Sequence, residues 1–185
     1  MNRNYSYRLY PSRTQKLSLA TVLEIHRTVY NDALTERRLA WQMCQKSVNY
    51  YAQANQLKAI REFDKEIASL NFDSTQQTLR RLNKAFDAFF RRIKAGENPG
   101  YPRYKSRQHF NSFSFVWNNG ARLFHNRLRL QGIGDVKVKW HRSIPEDANI
   151  KQCVIKRKAG QRWFVIFMLE LPDSPQIENR GDAIC

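Results

Sequence analysis

Cysteines and long apolar runs are scarce in this sequence of 185 residues, and each scarcity excludes a class of protein. The three cysteines, Cys44, Cys153 and Cys185, are far apart, which argues against a disulfide framework or a zinc site built from them alone. No stretch approaches the roughly 18 apolar residues of a membrane span, and the N-terminal residues lack the apolar core of a signal peptide. The sequence therefore predicts a cytoplasmic protein with no membrane partner.

Acidic side chains are also few. There are 32 Lys and Arg residues against 16 Asp and Glu residues, a formal net charge of +16. The imbalance is greatest in residues 91–170, which contain 17 basic and 5 acidic residues. An excess of this size indicates a polyanionic partner, and we favour nucleic acid over an anionic membrane or an acidic protein.

The carboxylates of this basic segment show no pattern of a catalytic site. A nuclease that uses two metal ions needs converging carboxylates, whereas Asp135 and Glu170 lie on different predicted strands. The stretch "GIGD" at 132–135 lacks the Lys-Ser/Thr of a phosphate-binding loop, and no G-x-S-x-G motif occurs. The sequence predicts a binding protein, not an enzyme, and no metal or other cofactor is expected in this chain.

Glycine and proline are absent from residues 12–95, which predicts a helical block. Two capping-box pairs predict helix starts, namely Ser12 with Gln15 and Ser74 with Gln77. Gly96 is placed to end the second of these helices, and residues 57–69 have the pattern of a shorter amphipathic helix.

A period of two, typical of strands, occurs on both sides of the helical block. Tyr5, Tyr7 and Leu9 alternate with polar neighbours, and about five more strands are expected after residue 110. Because a single strand is not stable alone, we expect residues 5–10 to pair with the later strands. The predicted fold class is α+β, a small antiparallel β-barrel of OB-like type interrupted after its first strand by a helical bundle.

The expected domain boundaries follow from this order. The barrel would comprise residues 1–11 and 99–172, with residues 12–98 inserted as helices and residues 173–185 as a tail. The stretch "WFVIFMLEL" at 163–171 is apolar on both faces, which predicts a strand that is well buried on both sides.

Cations alternate with apolar residues along the later strands, which predicts a sheet with one oily face and one cationic face able to meet phosphates. The basic helix and the loop 100–110 would extend this cationic surface, although a solvated helix face is the alternative for the helix arginines. The residues predicted to contact the nucleic-acid backbone are Arg80, Arg81, Lys84, Arg91, Arg92, Arg103, Lys105, Arg107, Arg127, Arg129, Lys137 and Lys139. Two roles stay open for Tyr101 and Tyr104, local packing or stacking on bases.

Six stretches, in this order, make the chain resemble the N-terminal half of the TnpB family. These proteins are RNA-guided DNA nucleases of bacterial insertion sequences, long called transposases, and are related to the type V CRISPR effectors. The stretches are "YRLYPSRTQ" at 7–15, "HRTVYNDAL" at 26–34, "QQTLRRLNKAFDAFFRR" at 76–92, "GYPRYKSR" at 100–107, "RLRLQGIGDVKVKWHR" at 127–142 and "VIKRKAGQRWFVIFMLE" at 154–170. Together they cover nearly the whole chain.

The resemblance implies a wedge-type barrel that grips a guide RNA and a helical recognition part that holds the guide–target heteroduplex by its backbone. Guide RNA and target DNA are then the expected partners. By position in the matching stretches, four residues resemble the family's readers of the DNA motif beside the target, namely Gln76, Gln77, Asn118 and Asn119. Amide side chains suit adenine edges, but helix caps and turns are the alternative roles for these residues.

The chain departs from the family where chemistry is concerned. In the family, the stretch "ENRGDAIC" would lead into a RuvC-like nuclease domain, and the carboxylate triad and four-cysteine zinc ribbon of the family are not found here. Asp182 lies slightly early and is not assigned a catalytic role. We therefore expect a catalytically inert portion, either shortened on purpose or naturally truncated, with divalent metal and zinc expected only in the absent part. The alternative is a DNA-binding regulator or transposase DNA-binding domain that works without RNA.

Overall fold

The structure is a computed structural model that describes residues 1–172. Within these residues the chain forms four helices, α1 (Arg13–Cys44), α2 (Tyr50–Phe63), α3 (Lys65–Ser69) and α4 (Phe72–Lys94). The same part of the chain forms seven strands, β1 (Asn2–Tyr10), β2 (Ser112–Trp117), β3 (Gly120–Phe124), β4 (Arg127–Leu130), β5 (Gly134–Lys139), β6 (Asn149–Lys158) and β7 (Arg162–Glu170). The predicted α+β class, with a helical segment after the first strand, is confirmed.

The strands close into a barrel in the order β1-β5-β4-β3-β2-β6-β7. β1 is antiparallel to β5 on one side, where Leu9 lies opposite Val138, and to β7 on the other side, where Tyr5 lies opposite Phe167. The first strand therefore has the distant partners that the sequence predicts for it. The helices leave the barrel after β1, and the chain returns to it at β2.

The pairing of β2 with β3 departs from the predicted all-antiparallel barrel. These strands are parallel, with Val116 opposite Gly120, because left-handed residues at Asn118 (φ 61°) and Gly120 (φ 90°) reverse the chain twice within a few residues. A Cβ atom at Gly120 would lie 2.7 Å from Cδ1 of Phe115, so this close approach requires glycine. β3 was not predicted because only Ala121 of its five residues is buried, so its sequence does not alternate between apolar and polar residues.

The helix caps confirm one capping-box prediction and contradict the other. Ser12 and Gln15 form both hydrogen bonds of the box at the start of α1. The predicted box of Ser74 with Gln77 is wrong, because α4 starts earlier and Asn71 is its N-cap, accepting a hydrogen bond from the Ser74 backbone. Gly96 follows the last turn of α4 in the left-handed conformation (φ 76°), as expected of a helix stop.

The amphipathic pattern at residues 57–69 belongs to two helices and not to one. Asp64 ends α2 and caps α3, because its carboxylate accepts hydrogen bonds from the backbone of Glu66 and Ile67. A helix-period pattern continues across the break, since Leu57 and Ile67 both face the core, and it therefore does not reveal the change of direction.

The helices join the barrel through a polar cluster around His26, whose ring is fully buried between α1, α4 and β2. Its Nε2 lies 3.1 Å from Oγ of Ser74, which itself donates to the carbonyl of Ser114 at 2.7 Å. Its Nδ1 lies 2.8 Å from Oγ1 of Thr78. Because the Ser74 hydrogen is already used, His26 donates from Nε2 and accepts at Nδ1, a pattern that the neutral ring satisfies completely. Burial lowers the pKa of His26 to about 3.

The prediction that β7 is buried on both faces is wrong. Trp163, Val165, Phe167 and Leu169 point into the barrel and are buried, whereas the opposite face is partly exposed, with Met168 40% exposed. A closed barrel covers only the inner face of each strand, and the main contacts of β7 are with its neighbours β1 and β6.

Candidate nucleic-acid interface

The outer surface of the barrel carries a band of cations. Buried Leu128 and Val136 point inward from β4 and β5, so the residues that alternate with them point outward. Four exposed cations occupy neighbouring strands of this surface, and we call them the barrel band: Arg8, Arg127, Lys137 and Lys139. Arg127 lies opposite Lys137 and Arg8 lies opposite Lys139, and like charges directly opposite each other destabilise a sheet. A bound polyanion would remove this repulsion.

Arg129 lies on the same surface but already has a charged partner. Its guanidinium donates to both carboxylate oxygens of Asp135, at 2.6 and 2.7 Å, and lies 3.9 Å from the ring centroid of Phe124. The hydrogen bond from Arg129 lowers the pKa of Asp135 from its ordinary value. This predicted phosphate contact is therefore internally neutralised, in contrast to the barrel band.

The loop at 100–110 is fixed to α1 by its backbone. The side-chain amide of Asn31 donates to the carbonyl of Lys105 at 3.0 Å and accepts from its N–H at 2.8 Å. Arg27 also donates to that carbonyl, and buried Phe110 packs on the ring of Tyr30. Because the backbone carries the attachment, these hydrogen bonds do not use the cationic side chains of the loop.

The three predicted loop cations differ in their surroundings. Arg107 is an ion-pair partner of Glu24 at 3.2 Å, although its side chain is 79% exposed. Arg103 is exposed and Lys105 is half-buried. Of the two tyrosines, Tyr101 packs edge-on against Phe86 and is 42% exposed, whereas Tyr104 is 47% exposed with its hydroxyl 3.2 Å from Oγ1 of Thr35. Each tyrosine thus combines a local contact with a free face.

The predicted cations of α4 are also partly engaged. Arg80 lies over the ring of Tyr50 and donates to its hydroxyl at 3.0 Å. Arg81 donates to the carbonyl of Ser112 at 2.9 Å, and although the residue as a whole is exposed, burial of its guanidinium lowers its pKa. Arg92 forms an ion pair with Glu97 at 2.5 Å. Two further predicted contacts on this helix, Lys84 and Arg91, are exposed.

The residues predicted to read bases gather around the N-terminus of α4. The amide of Asn119 donates to the carboxylate of Asp73 and accepts at 3.2 Å from Asn71, the N-cap residue. Gln76 and Gln77 follow Asp73 at helix spacings of three and four, so they lie on the same side of α4. Because Asn71 is the N-cap of α4, the side chain of Gln77 is not part of a capping box. Asn118 is exposed in the adjoining turn, where its left-handed conformation fits the alternative reading of "NNG" as a turn.

A groove of about 1050 Å³ separates α1 from the turn between β6 and β7. Arg107 lines it, together with three cations of β6 that the sequence analysis did not select: Lys156, Arg157 and Lys158. Arg8 of the barrel band and Arg38 of α1 were also missed. The alternation of apolar and polar residues in "VIKRKAG" and "YRLY" could have identified Lys156 and Arg8 as outward-facing. In the structure both residues lie opposite Phe164 of β7, which also faces outward.

Carboxylates do not converge within residues 1–172. Asp135 is held by Arg129, and Glu170 lies 2.7 Å from Nζ of Lys151 on another side of the barrel. Among these residues no group of three or more His, Cys, Asp or Glu side chains is placed to hold a metal ion. No helix of the described chain combines the length and the apolar character that crossing a membrane requires. Asp182, Cys185 and the predicted tail at 173–185 lie outside the described residues.

Two comparisons with known proteins agree with this geometry. Residues 1–46 match the family HTH_OrfB_IS605, described as a helix-turn-helix domain. In the structure, the matched residues form β1 and α1, and α2 begins shortly after them, following a turn at left-handed Gln45. A protein of Streptomyces pristinaespiralis named "Putative RNA-guided DNA endonuclease" is 32% identical over 180 residues, which is 92% of this chain and 42% of that protein.

The second match extends over most of this chain but over less than half of the relative. This chain spans 42% of the relative's length, so the activity of the whole relative does not transfer with the match. The fold, with a strand, a helical segment and a closed barrel in that order, agrees with what the resemblance implied. Both matches support the resemblance of this chain to the N-terminal part of the TnpB family.

Proposed function

We propose that this chain is the guide-RNA-binding and target-DNA-recognition portion of a transposon-associated RNA-guided DNA endonuclease, and that it is catalytically inert by itself. One observation carries the proposal: the barrel band presents exposed cations opposite one another on adjoining strands. Such an arrangement costs free energy in the isolated protein and favours a partner with closely spaced phosphates.

The proposed division of work follows the two parts of the fold. The barrel, with residues 1–11 and 99–172, would hold the guide RNA by its backbone, while the helices of residues 12–98 would contact the guide–target heteroduplex. Base pairing reads the sequence in such a complex, so the protein needs mainly phosphate contacts. The groove lined by Arg107 and Lys156 lies between the two parts and would receive a nucleic-acid strand.

Reading of the DNA motif beside the target is proposed for the N-terminus of α4. Asn119 and Gln77 are amide side chains that the fold brings to one side of that helix, and amides bind adenine edges in the major groove. Replacing Gln77 with Ala should reduce discrimination at one base pair by about 1–3 kcal/mol and leave other positions unchanged. Binding to a library of DNA duplexes that vary beside the target would measure this loss.

A DNA-binding regulator that works without RNA is the second candidate. The match of residues 1–46 to a helix-turn-helix family favours it, as does the order α1, turn, α2 in the structure. In this case α2 would enter the major groove of duplex DNA, and no RNA would be required.

Competition between RNA and duplex DNA separates the two candidates. RNA that copurifies with the chain would be sequenced, transcribed and titrated against the chain, alongside a duplex DNA of equal length. We expect at least tenfold tighter binding of the RNA, and a loss of about 10³–10⁵ in affinity between 50 and 200 mM salt if six to ten phosphates are engaged. Tighter binding of the duplex without RNA would instead support the regulator.

Catalytic inertness has its own test. The chain, the copurified RNA and a matched DNA would be incubated with Mg²⁺ or Mn²⁺, and we expect intact DNA throughout. Cleavage that depends on the chain would contradict this part of the proposal.

A further inference from the structure

An apolar cavity of about 740 Å³ lies between the C-terminal half of α1, the connector at 45–49 and the C-terminal half of α4. Tyr101 of the loop at 100–110 closes one side of it. Its aromatic walls are formed by Trp41, Phe86, Phe89, Phe90 and Tyr101. The size falls within the range of about 300–1,000 Å³ that is usual for small-ligand sites.

The aromatic walls are incompletely covered by the protein itself. Trp41 is 55% exposed, Phe90 is 51% exposed and Tyr101 is 42% exposed. Such a group of exposed aromatic side chains marks a binding site more often than a surface without function. Edge-on contacts hold Tyr101 against Phe86 and Phe89 at centroid distances of 5.5 and 5.4 Å, so its ring is oriented before any ligand arrives.

Arg37 is a buried charged residue that lines this cavity. The residue is 6% exposed, its Nε donates to Oε1 of Gln53 at 2.9 Å and its Nη1 donates to Oδ1 of Asn83 at 3.2 Å. Its buried Nη2 has no partner among the described residues. A buried guanidinium nitrogen without an acceptor is costly, and a small shift of the side chain would present it to the carbonyl oxygen of a ligand in the cavity. Asp87, which lines the same cavity, adds an acceptor.

A second cavity, of about 530 Å³, adjoins the first and shares Trp41 and Tyr101 with it. Arg38 and Arg103 line this second cavity. An aromatic site for a flat ring thus lies beside a cationic site for an anion. This pairing matches a nucleotide, whose apolar base and charged phosphate are a few ångströms apart.

We propose that the aromatic cavity binds one unpaired nucleobase of RNA, with the adjoining phosphate held by Arg38 and Arg103. RNA is the favoured source because folded RNA displays unpaired bases in loops and bulges, where aromatic side chains stack on them. The Nη2 donor of Arg37 selects bases with a carbonyl oxygen, so uracil and guanine bind better than adenine. This inference rests on the proposed RNA-binding function and names the part of the RNA that the helical segment takes.

The test combines side-chain variants with two short RNAs. Octamers of uridine and of adenosine would be titrated against the whole chain by fluorescence anisotropy, with the deoxyuridine octamer as the DNA probe. Stacking on an aromatic side chain predicts a loss of roughly 5- to 100-fold for uridine binding in Trp41→Ala. The salt dependence of that variant should stay unchanged, whereas Arg103→Gln should lower the slope by about 0.7.

The matched control is Phe63→Ala, since Phe63 is also a large, 88% exposed aromatic residue of the helical segment but lies outside both cavities. It should leave uridine binding unchanged, and thermal melting of each variant checks that the fold is retained. Wild-type preference for uridine over adenosine should disappear in Trp41→Ala. The deoxyuridine octamer should bind more weakly than its RNA counterpart.

Several outcomes would overturn the inference while leaving the proposed function intact. Equal uridine affinity in wild type and Trp41→Ala, with normal binding of the copurified RNA, would exclude a base in this cavity. A change in self-association of that variant during sedimentation, without a change in RNA affinity, would assign the cavity to a second copy of the chain. Tighter binding of the DNA octamer would assign it to target DNA. Failure of the wild-type chain to bind any RNA would instead refute the proposed function.

Discussion

The cations of the helical segment and those of the barrel differ in what they contact. Arg37 and Arg61 of the helices are used internally, and Arg61 donates to three carbonyl groups at the end of α3. Arg127 and Lys137 of the barrel face solvent, opposite each other. These two pairs share a residue type, but only the barrel pair leaves its charge uncompensated, although the helical segment also has exposed cations at Lys84 and Arg91. The net charge of a sequence therefore overstates the number of phosphates that it can bind, because some cations are already hydrogen-bonded or ion-paired within the protein.

The largest effect should come from removing an internal cation. Arg37→Met leaves Gln53 and Asn83 without their donor in a buried site, and we expect the free energy of unfolding to fall by about 3 kcal/mol. Lys137→Met on the barrel is the matched control and should change stability by less than about 0.5 kcal/mol. Urea denaturation at pH 7 measures both, and similar losses in the two variants would erase the contrast between the regions.

The next effect concerns affinity and belongs to the barrel band. The double variant Arg127→Gln, Lys137→Gln should bind the copurified RNA with a slope of log affinity against log salt that is smaller by about 1.4–1.8. Its stability should be equal or slightly higher, because a like-charge pair is removed. The corresponding helical double variant, Arg27→Gln with Arg61→Gln, should retain the slope and lose stability. Retention of the wild-type slope in the barrel variant would move the binding surface elsewhere.

A smaller effect should follow from acid, through His26 at the junction of the two regions. Burial holds its folded-state pKa at about 3, below the ordinary value of 6.5, so the unfolded chain binds a proton that the folded chain refuses. The stability that neutral His26 contributes is complete above pH 6.5 and is lower by about 2 kcal/mol at pH 5, since each pH unit below 6.5 costs about 1.4 kcal/mol. The ring cannot titrate in His26→Gln, so the stability difference between wild type and this variant should shrink over that range. A constant difference from pH 7 to pH 4.5 would contradict the assigned pKa, and exposed His125→Gln is the control.

The smallest effect distinguishes cations within the barrel itself. Arg129→Gln should weaken RNA binding less than Arg127→Gln, because Asp135 already neutralises Arg129. Asp135→Asn should release Arg129 and strengthen RNA binding by up to about fivefold, the range expected of a surface ion pair. Filter binding at 100 mM salt is sufficient to rank the three proteins. Equal weakening by the two arginine variants would show that the ion pair opens on binding.

The barrel could be predicted because apolar and polar residues alternate along its strands, and this pattern depends only on residues close together in sequence. Alternation in β1, β4 and β5 fixed which side chains turn inward, and the lone first strand required partners elsewhere in the chain. The parallel pair of β2 and β3 could not be predicted, since it depends on a tight turn at Gly120 against Phe115 and Asn71. The contact with Asn71 joins residues that are distant in sequence and leaves no periodic pattern.

The candidate site was predictable only as a list of cations. Sequence shows that Arg37, Arg81 and Arg127 are basic, but not that the first two donate to internal acceptors while the third faces solvent. Ser74 illustrates the same limit, because its spacing to Gln77 resembles a cap while its hydroxyl instead joins His26 to the barrel. Tertiary partners compete with local patterns for the same polar groups, and the partner with better geometry wins.

The position of β1 also has a consequence for synthesis of the chain on the ribosome. Leu9 pairs with Val138 of β5 and Asn2 pairs with Glu170 of β7, so β1 has both neighbours only after nearly the whole barrel has been translated. At roughly 5–20 residues per second, that wait lasts about 10–30 s. Until β5 and then β7 emerge, the helices can collapse on one another while β1 keeps an unpaired edge, a state that is prone to aggregation.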